Sequence, residues 1–174
     1  MNDYATRIAA DAVRLERLLP GPIERVWEFL TDSDRRARWL AGGNFELRVG
    51  GKVELNFDHA SLSAEATPAR YTGMQMEFTG KVLRCEPPTL LEFTWLESHG
   101  SCSQVLWELA PRGEQVLFTI THRKIPNREE LLDISGGWDV HTGILDDVLN
   151  SRTPRLFWST HAQLAAEYGR RFPP

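Results

Sequence analysis

The stretch Gly136–Asn150, GGWDVHTGILDDVLN, decides how the rest of the chain is read. At about 100° per residue, Trp138, His141, Ile144, Leu145, Val148 and Leu149 share one face, and Asp139, Thr142, Asp146, Asp147 and Asn150 share the other. The pattern predicts an amphipathic helix, opened by a Gly-Gly break, with a histidine in its apolar face. Such a face needs a surface to close on, and the preceding segments supply one. Phe45, Leu47 and Val49 alternate with Glu46 and Arg48, Gly50-Gly51 reads as a hairpin turn, and Val53, Leu55 and Phe57 follow with Lys52, Glu54 and Asn56 between them. Met74, Met76 and Phe78 resume the alternation through Gly80 and Val82. The sets Leu91/Phe93/Trp95, Val105/Trp107/Leu109 and Val116/Phe118/Ile120/His122 continue it, with turns at Pro87-Pro88, Glu97–Gly100 and Pro111–Gly113.

Upstream, residues 1–10 read as a loose lead-in and Asp11–Leu19 as a first strand ended by Pro20-Gly21-Pro22. Pro22 suits the first position of a helix carrying Ile23, Val26, Trp27 and Leu30, and Ser33 is a candidate cap for a second short helix running to Leu40. Residues 59–73 show no period and form the longest structureless stretch, a candidate lid with Tyr71 near its end or, as plausibly, a surface insertion. Residues 125–135 connect to the main helix, with a turn of helix at 128–132. Beyond Asn150, Thr153 and Pro154 are suited to start a last helix with the stripe Phe157, His161, Leu164 and Tyr168. The expected class is α+β: a curved antiparallel sheet of six to seven strands wrapped around a long C-terminal helix, with two short helices after the first strand.

The 174 residues suit one domain with a substantial core. A net charge of −4 leaves no basic excess for nucleic acid or an anionic membrane, and Arg35, Arg36 and Arg38 read as a solvated helix face. No leader-type or membrane-spanning apolar run is visible, and Cys85 and Cys102 show neither framework nor metal spacing. Reduced thiols and a cytoplasmic location are the expectation.

The layout resembles the helix-grip, START-like (SRPBCC) superfamily, and within it the branch named after the activator of heat shock protein 90 ATPase. The carrying residues are Ala41-Gly42-Gly43 after Trp39, LRVGGKVEL (47–55), FTGKVLRCEPPTLLEFTW (78–95), SQVLWEL (103–109), FTITH (118–122), GGWDVHTGILDDVL (136–149) and the FW…H…L…EY set (157–168), covering residues 12 to 170. The resemblance implies a cavity between sheet and helix that takes an apolar or amphipathic small molecule. The superfamily includes lipid carriers and polyketide cyclases. Chaperone activation does not transfer readily, because in the eukaryotic activator another domain precedes this module.

The ligand-binding set expected from the inward parities is Phe57, Met76, Phe78, Phe93, Trp95, Trp107, Phe118, His122, Trp138, His141 and Leu145. Taken singly, each aromatic is core before it is ligand wall. His122 and His141 are expected to supply polarity, either orienting a ligand or acting as acid and base; the plainer reading is that each bonds one buried carbonyl and packs. Metal binding is not expected, since the five histidines show no ligand spacing, and no nucleophile elbow, phosphate loop or other cofactor motif is present. The outward parity of Glu46, Glu54, Glu77, Glu92 and Glu108, and the polar-face position of Asp146-Asp147, leave no obvious buried carboxylate. The expectation is a binder of a small hydrophobic or amphipathic ligand, monomeric or homodimeric. The alternatives are a cyclase- or hydrolase-type enzyme using the two histidines, and a chaperone-interacting module.

Overall fold

The computed structural model describes residues 4–73 and 76–173. Met74, expected to resume the sheet alternation, lies outside them. A seven-stranded antiparallel sheet runs β1-β2-β7-β6-β5-β4-β3. Its strands are β1 (Thr6–Ala9), β2 (Ala12–Pro20), β3 (Lys52–Phe57), β4 (Met76–Glu86), β5 (Leu90–Thr94), β6 (Gln104–Arg112) and β7 (Gln115–Arg123). Helices α1 (Ile23–Thr31) and α2 (Ser33–Ala37) follow β2, and α3 (Arg128–Leu149) and α4 (Phe157–Arg171) follow β7. The α+β arrangement expected from the patterning is therefore present. Residues 6–9 are not a lead-in but an edge strand, with Thr6 opposite Arg14.

Period-two alternation lays Val53, Leu55, Val82, Phe93, Trp107, Phe118 and Ile120 on one face of the sheet, where all are buried. Against them α1 brings Val26, Phe29 and Leu30, and the chain after α2 brings Trp39 and Leu40, each at most 5 % exposed. Trp39 donates its Nε1–H to the Phe29 carbonyl at 2.8 Å, so even its polar atom is satisfied. This end of the sheet is solid.

Arg36 corrects the reading of the arginine cluster as a solvated face. It is fully buried, stacked 3.7 Å above the Phe45 ring, and donates to the carbonyls of Leu30 (3.3 Å), Thr31 (3.0 Å), Ala41 (3.1 Å) and Gly43. Leu30 and Thr31 end α1, so the cation satisfies carbonyls that a helix leaves orphaned and meets the negative end of its dipole. Burial pushes the guanidinium down to about 10, with Asp32 opposing, so it remains charged at neutral pH. The second helix is capped by Asp32, which accepts from Arg35 N at 2.9 Å, and not by Ser33, whose Oγ accepts from Gly43 N.

The same anchor explains why the expected hairpin arm at 45–49 is not a strand. With residues 41–43 tied to Arg36, only isolated bridges form, Gly42 to Asn56 and Phe45 to Val53. The chain already tightens at Glu46, with Arg48 N donating to Glu46 O at 2.7 Å. Gly50, at φ +77°, and Gly51 complete the expected turn, Gly51 N donating to Arg48 O at 2.8 Å, and both also bond to Val82 of β4. Leu47 and Val49 are left 41 % and 69 % exposed. The turn expected at Pro111–Gly113 was placed too early: β6 continues through Pro111 and Arg112.

Helix α3 starts eight residues before the expected Gly-Gly break. Asn127 caps it, its side chain accepting from Glu130 N at 2.9 Å while Glu130 answers through Oε1. The pair resembles a capping box, except that Glu130 accepts from the Asn127 side-chain amide and not from its backbone N–H, and Asn127 with Glu130 was visible in the sequence. Three interior glycines, Gly136, Gly137 and Gly143, cost roughly 1 kcal/mol each against alanine. The helix survives them because α4 packs across it.

Nor is α3 one-sided. Asp139, Thr142 and Asp147, all assigned to a wet face, are at most 7 % exposed, because α4 and the chain leading to it cover that face. Asp139 accepts from Arg17 of β2 at 2.8 Å and from the Tyr168 hydroxyl at 2.6 Å, and that hydroxyl accepts from Ala5 N at 2.7 Å. Burial, then the Asp139 carboxylate, keeps the Tyr168 phenol protonated far above its ordinary range. Burial alone would raise the Asp147 carboxyl, but hydrogen bonds from Arg155 and Arg152 hold it below its usual value. A Cβ at position 143 would collide with the Arg155 guanidinium, so only glycine admits this clamp. The last helix begins at Phe157, with Leu156 as cap residue, three positions after the Pro154 start expected.

Candidate functional site

At the end of the sheet away from α1 and α2, the space between strands and helix stays open. A partly enclosed cavity of about 950 Å³ is bounded by the ends of β3 to β5, the first half of α3, the start of α4 and residues 58–73. That volume lies within the roughly 300–1,000 Å³ typical of small-molecule sites. Of the residues expected to bind ligand, Phe57, Met76, Phe78, Trp95, Trp138 and His141 line it. Phe93, Trp107, Phe118, His122 and Leu145 do not. All five are at most 2 % exposed; Phe93, Trp107, Phe118 and Leu145 belong to the packed core, and His122 is buried behind the cavity wall. Parity put them on the correct face, but parity does not say which end of a face is filled.

The histidine pair thereby separates. His122 accepts at Nδ1 from Trp138 Nε1 (3.0 Å), its ring lies edge-on to Trp95 at 5.7 Å, and burial pushes it down to about 3. It braces the back of the cavity wall without reaching the cavity. His141 does line the cavity. Its Nδ1 lies 2.6 Å from the Trp39 carbonyl, so that nitrogen carries the proton and Nε2 is a lone pair.

The cavity also gathers residues that the inward set omitted. His59 lies 5.4 Å from His141 between ring centroids and stacks on Phe157 at 4.6 Å. His161, one turn further along α4, stacks on the same ring at 6.0 Å. The signal for His59 was available, since it carries the inward parity of Val53, Leu55 and Phe57 one step past the strand. For His161 the signal was its place in the α4 apolar stripe. Nothing local marked Trp158, which stacks on Tyr71 at 4.6 Å and 11°.

That stack is part of how residues 59–73 are held. The segment contains two short 3-10 turns, at His59–Ser61 and Ala69–Tyr71. Between them, Ser63 Oγ accepts from Phe157 N (3.1 Å) and the Glu65 carboxylate accepts from Ser159 N (3.1 Å). No side chain at the cap residue Leu156 serves the first turn of α4, so the covering segment satisfies its orphan N–H groups.

The chemistry of the wall is mostly neutral. Burial lowers His59 to about 4, His161 adding to the shift and Asp58 opposing it. Burial lowers His141 to about 3, with contributions from His59 and His161 and opposition from the Trp39 bond. General-base catalysis works best with a pKa near the working pH, and an imidazole at about 3 is a weak base there. The partner on Nδ1 is a carbonyl, not the carboxylate that would stabilise an imidazolium. Among the described residues, no group of three or more His, Cys, Asp or Glu side chains is placed to hold a metal ion. No described helix is long and apolar enough to cross a membrane.

Residues 20–150 match the family model of the Activator of Hsp90 ATPase homolog 1-like protein. A solution structure of the protein encoded by gene BPP1335 from Bordetella parapertussis is 44 % identical, with a TM-score of 0.81, over 97 % of this chain and 90 % of that one. The crystal structure of CalU16 from Micromonospora echinospora is 22 % identical, TM-score 0.67, over 91 % of this chain and 86 % of that one. DynU16, from the dynemicin biosynthetic locus, is 24 % identical with a TM-score of 0.61, over 85 % of this chain and 51 % of that one. These last two likenesses concern the fold. No curated protein matches the chain.

Proposed function

This chain belongs to the Activator of Hsp90 ATPase homolog 1-like family, and from that premise we propose that it binds a small hydrophobic or amphipathic molecule between its sheet and α3. The observation that carries the reading is the 950 Å³ cavity with aromatic walls. Interiors pack densely, and a methyl-sized void already costs about 1 kcal/mol. A retained space of this size, walled by Phe57, Phe78, Trp95, Trp138 and Trp158, is what an apolar ligand body requires.

Position 137 supports the same reading. Gly137 lines the cavity, and a Cβ built there meets nothing within 4 Å. The helix carries a poor helix former where a side chain would intrude on the space.

The test is a titration with decanol followed by backbone-amide NMR, alongside native mass spectrometry of freshly purified protein. Expected are saturable shifts confined to the ends of β3–β5, the first half of α3 and residues 58–73, all absent in Gly137→Leu. A ligand-free mass together with no saturable shift would sink the reading. The enzyme alternative loses the His122–His141 pair on which it rested, since one member lies outside the cavity. The chaperone alternative has as its material Ile8, Leu18, Leu47, Val49 and Leu156, large exposed apolar side chains from separate segments.

A further inference from the structure

Four carboxylates border the cavity, Asp58, Glu77, Glu130 and Asp133, and its lining among the described residues contains neither lysine nor arginine. All four are exposed, which places them on the solvent side. Arg70, on the covering segment, directs its guanidinium onto the Tyr71 ring at 4.6 Å and is not part of the lining.

Deeper in, His141 is 5 % exposed, and its Nε2 has no hydrogen-bond partner among the described residues. With the proton fixed on Nδ1, the buried polar atom offered to an occupant is an acceptor. Around it stand the rings of Phe57, Trp95, Trp138 and Phe157, whose π faces are negative. Against these, the donors of the lining are neutral ones: the buried Trp158 Nε1–H, also without a partner among the described residues, and side chains such as Tyr71, Ser101 and Asn56.

We propose that the occupant is a cationic amphiphile, an apolar body carrying a protonated or quaternary amine. The proposal rests on the cavity being a ligand site and adds the sign of the ligand's charge. An apolar tail of any kind gains by leaving water for this wall. The head group decides. An anion would meet four carboxylates, a lone pair and ring faces with no lysine or arginine to pair with; the imidazole of His161 lies 3.6 Å from the carboxylate of Asp133. An ammonium meets attraction from all of these: cation–π contact inside, carboxylates at the mouth and an acceptor for an N–H. The net charge of −4 favours the approach of a cation as well.

The experiment is calorimetric titration of the intact chain at pH 7 with decyltrimethylammonium, decanol and decanoate, all below micelle formation. The ammonium is expected to bind about tenfold more tightly than decanoate, with decanol between them. The margin should shrink with salt, because the screening length falls from about 30 Å at 0.01 M to about 3 Å at 1 M. In the variant combining Asp58→Asn, Glu77→Gln and Asp133→Asn, three exposed changes that leave the Glu130 cap intact, ammonium binding should weaken roughly fivefold while decanol is unaffected. Decanoate binding as tightly as the ammonium, or a variant that loses decanol and ammonium equally, overturns the charge assignment and leaves the cavity reading standing. Failure of all three to bind rejects the cavity reading and the proposal with it.

Discussion

Two ends of one interface, built from the same kinds of residue, come out differently. At the α1–α2 end, Trp39, Trp107 and Phe118 contact one another with centroids 6.0 to 6.4 Å apart, and each is at most 1 % exposed. At the other end, Phe57, Trp95, Trp138 and Trp158 form walls around open space. Composition does not distinguish them. What differs is the cover. The first end is plugged by a rigid helix pair pinned by Arg36. The second is roofed by residues 58–73, held through Ser63 and Glu65 to the start of α4. A core closes where the covering element can fill it, and a cavity persists where the cover only bridges.

Substitutions at matched positions should break this contrast in a definite order. The largest effect is expected for Trp107→Ala, about 3–5 kcal/mol from a cavity in packed surroundings, whereas the half-buried Trp158→Ala should cost well under half of that. Denaturant midpoints at constant slope check the pair, and equal losses would mean the two ends are equally packed. Arg36→Met comes next. It keeps volume but strands carbonyls at the end of α1 and at residues 41–43, for roughly 3 kcal/mol. A neutral result would show that water replaces the guanidinium.

Acid should act on the open end, where three histidines lie in or behind the cavity wall. His59, His122 and His141 have folded values of about 4, 3 and 3, below the ordinary 6.5. The unfolded chain therefore binds more protons, so the stability these groups confer is complete above about pH 6.5 and is lost as pH falls toward 4 and then 3. The slope is on the order of 1.4 kcal/mol per pH unit for each histidine. His122→Gln should remove one histidine's share; an unchanged slope between pH 6.5 and 4 would show that His122 is not buried neutral. Smallest is Gly137→Ala, which should raise stability by about 0.5–1 kcal/mol because it relieves helix entropy into empty space. A loss there would place unseen packing at the cavity wall.

Much of the sheet was legible. Periods of two at 53–57, 91–95, 105–109 and 116–122 each became a strand, and the pattern at 138–149 became the gripped helix. The errors share one cause. The 45–49 arm, the wet arginines and the wet face of α3 were each judged from local pattern. Each was overridden by a partner outside the segment's own pattern: Arg36 for the arm, Phe45 and the carbonyls for the arginine, and, far along the chain, Tyr168 and Arg17 for Asp139. At the site, six of the eleven expected residues face the cavity. His59 and His161 join them through the covering segment and α4, whose places against α3 no periodicity records.

By itself, the sequence determined which side chains turn inward, because alternation along a strand and the 3.6-residue turn of a helix are properties of a single segment. Only the tertiary structure decided where inward-facing residues meet one another and where they meet a void. That choice depends on the shape of the elements laid across them, and packing between distant segments leaves no mark on local pattern.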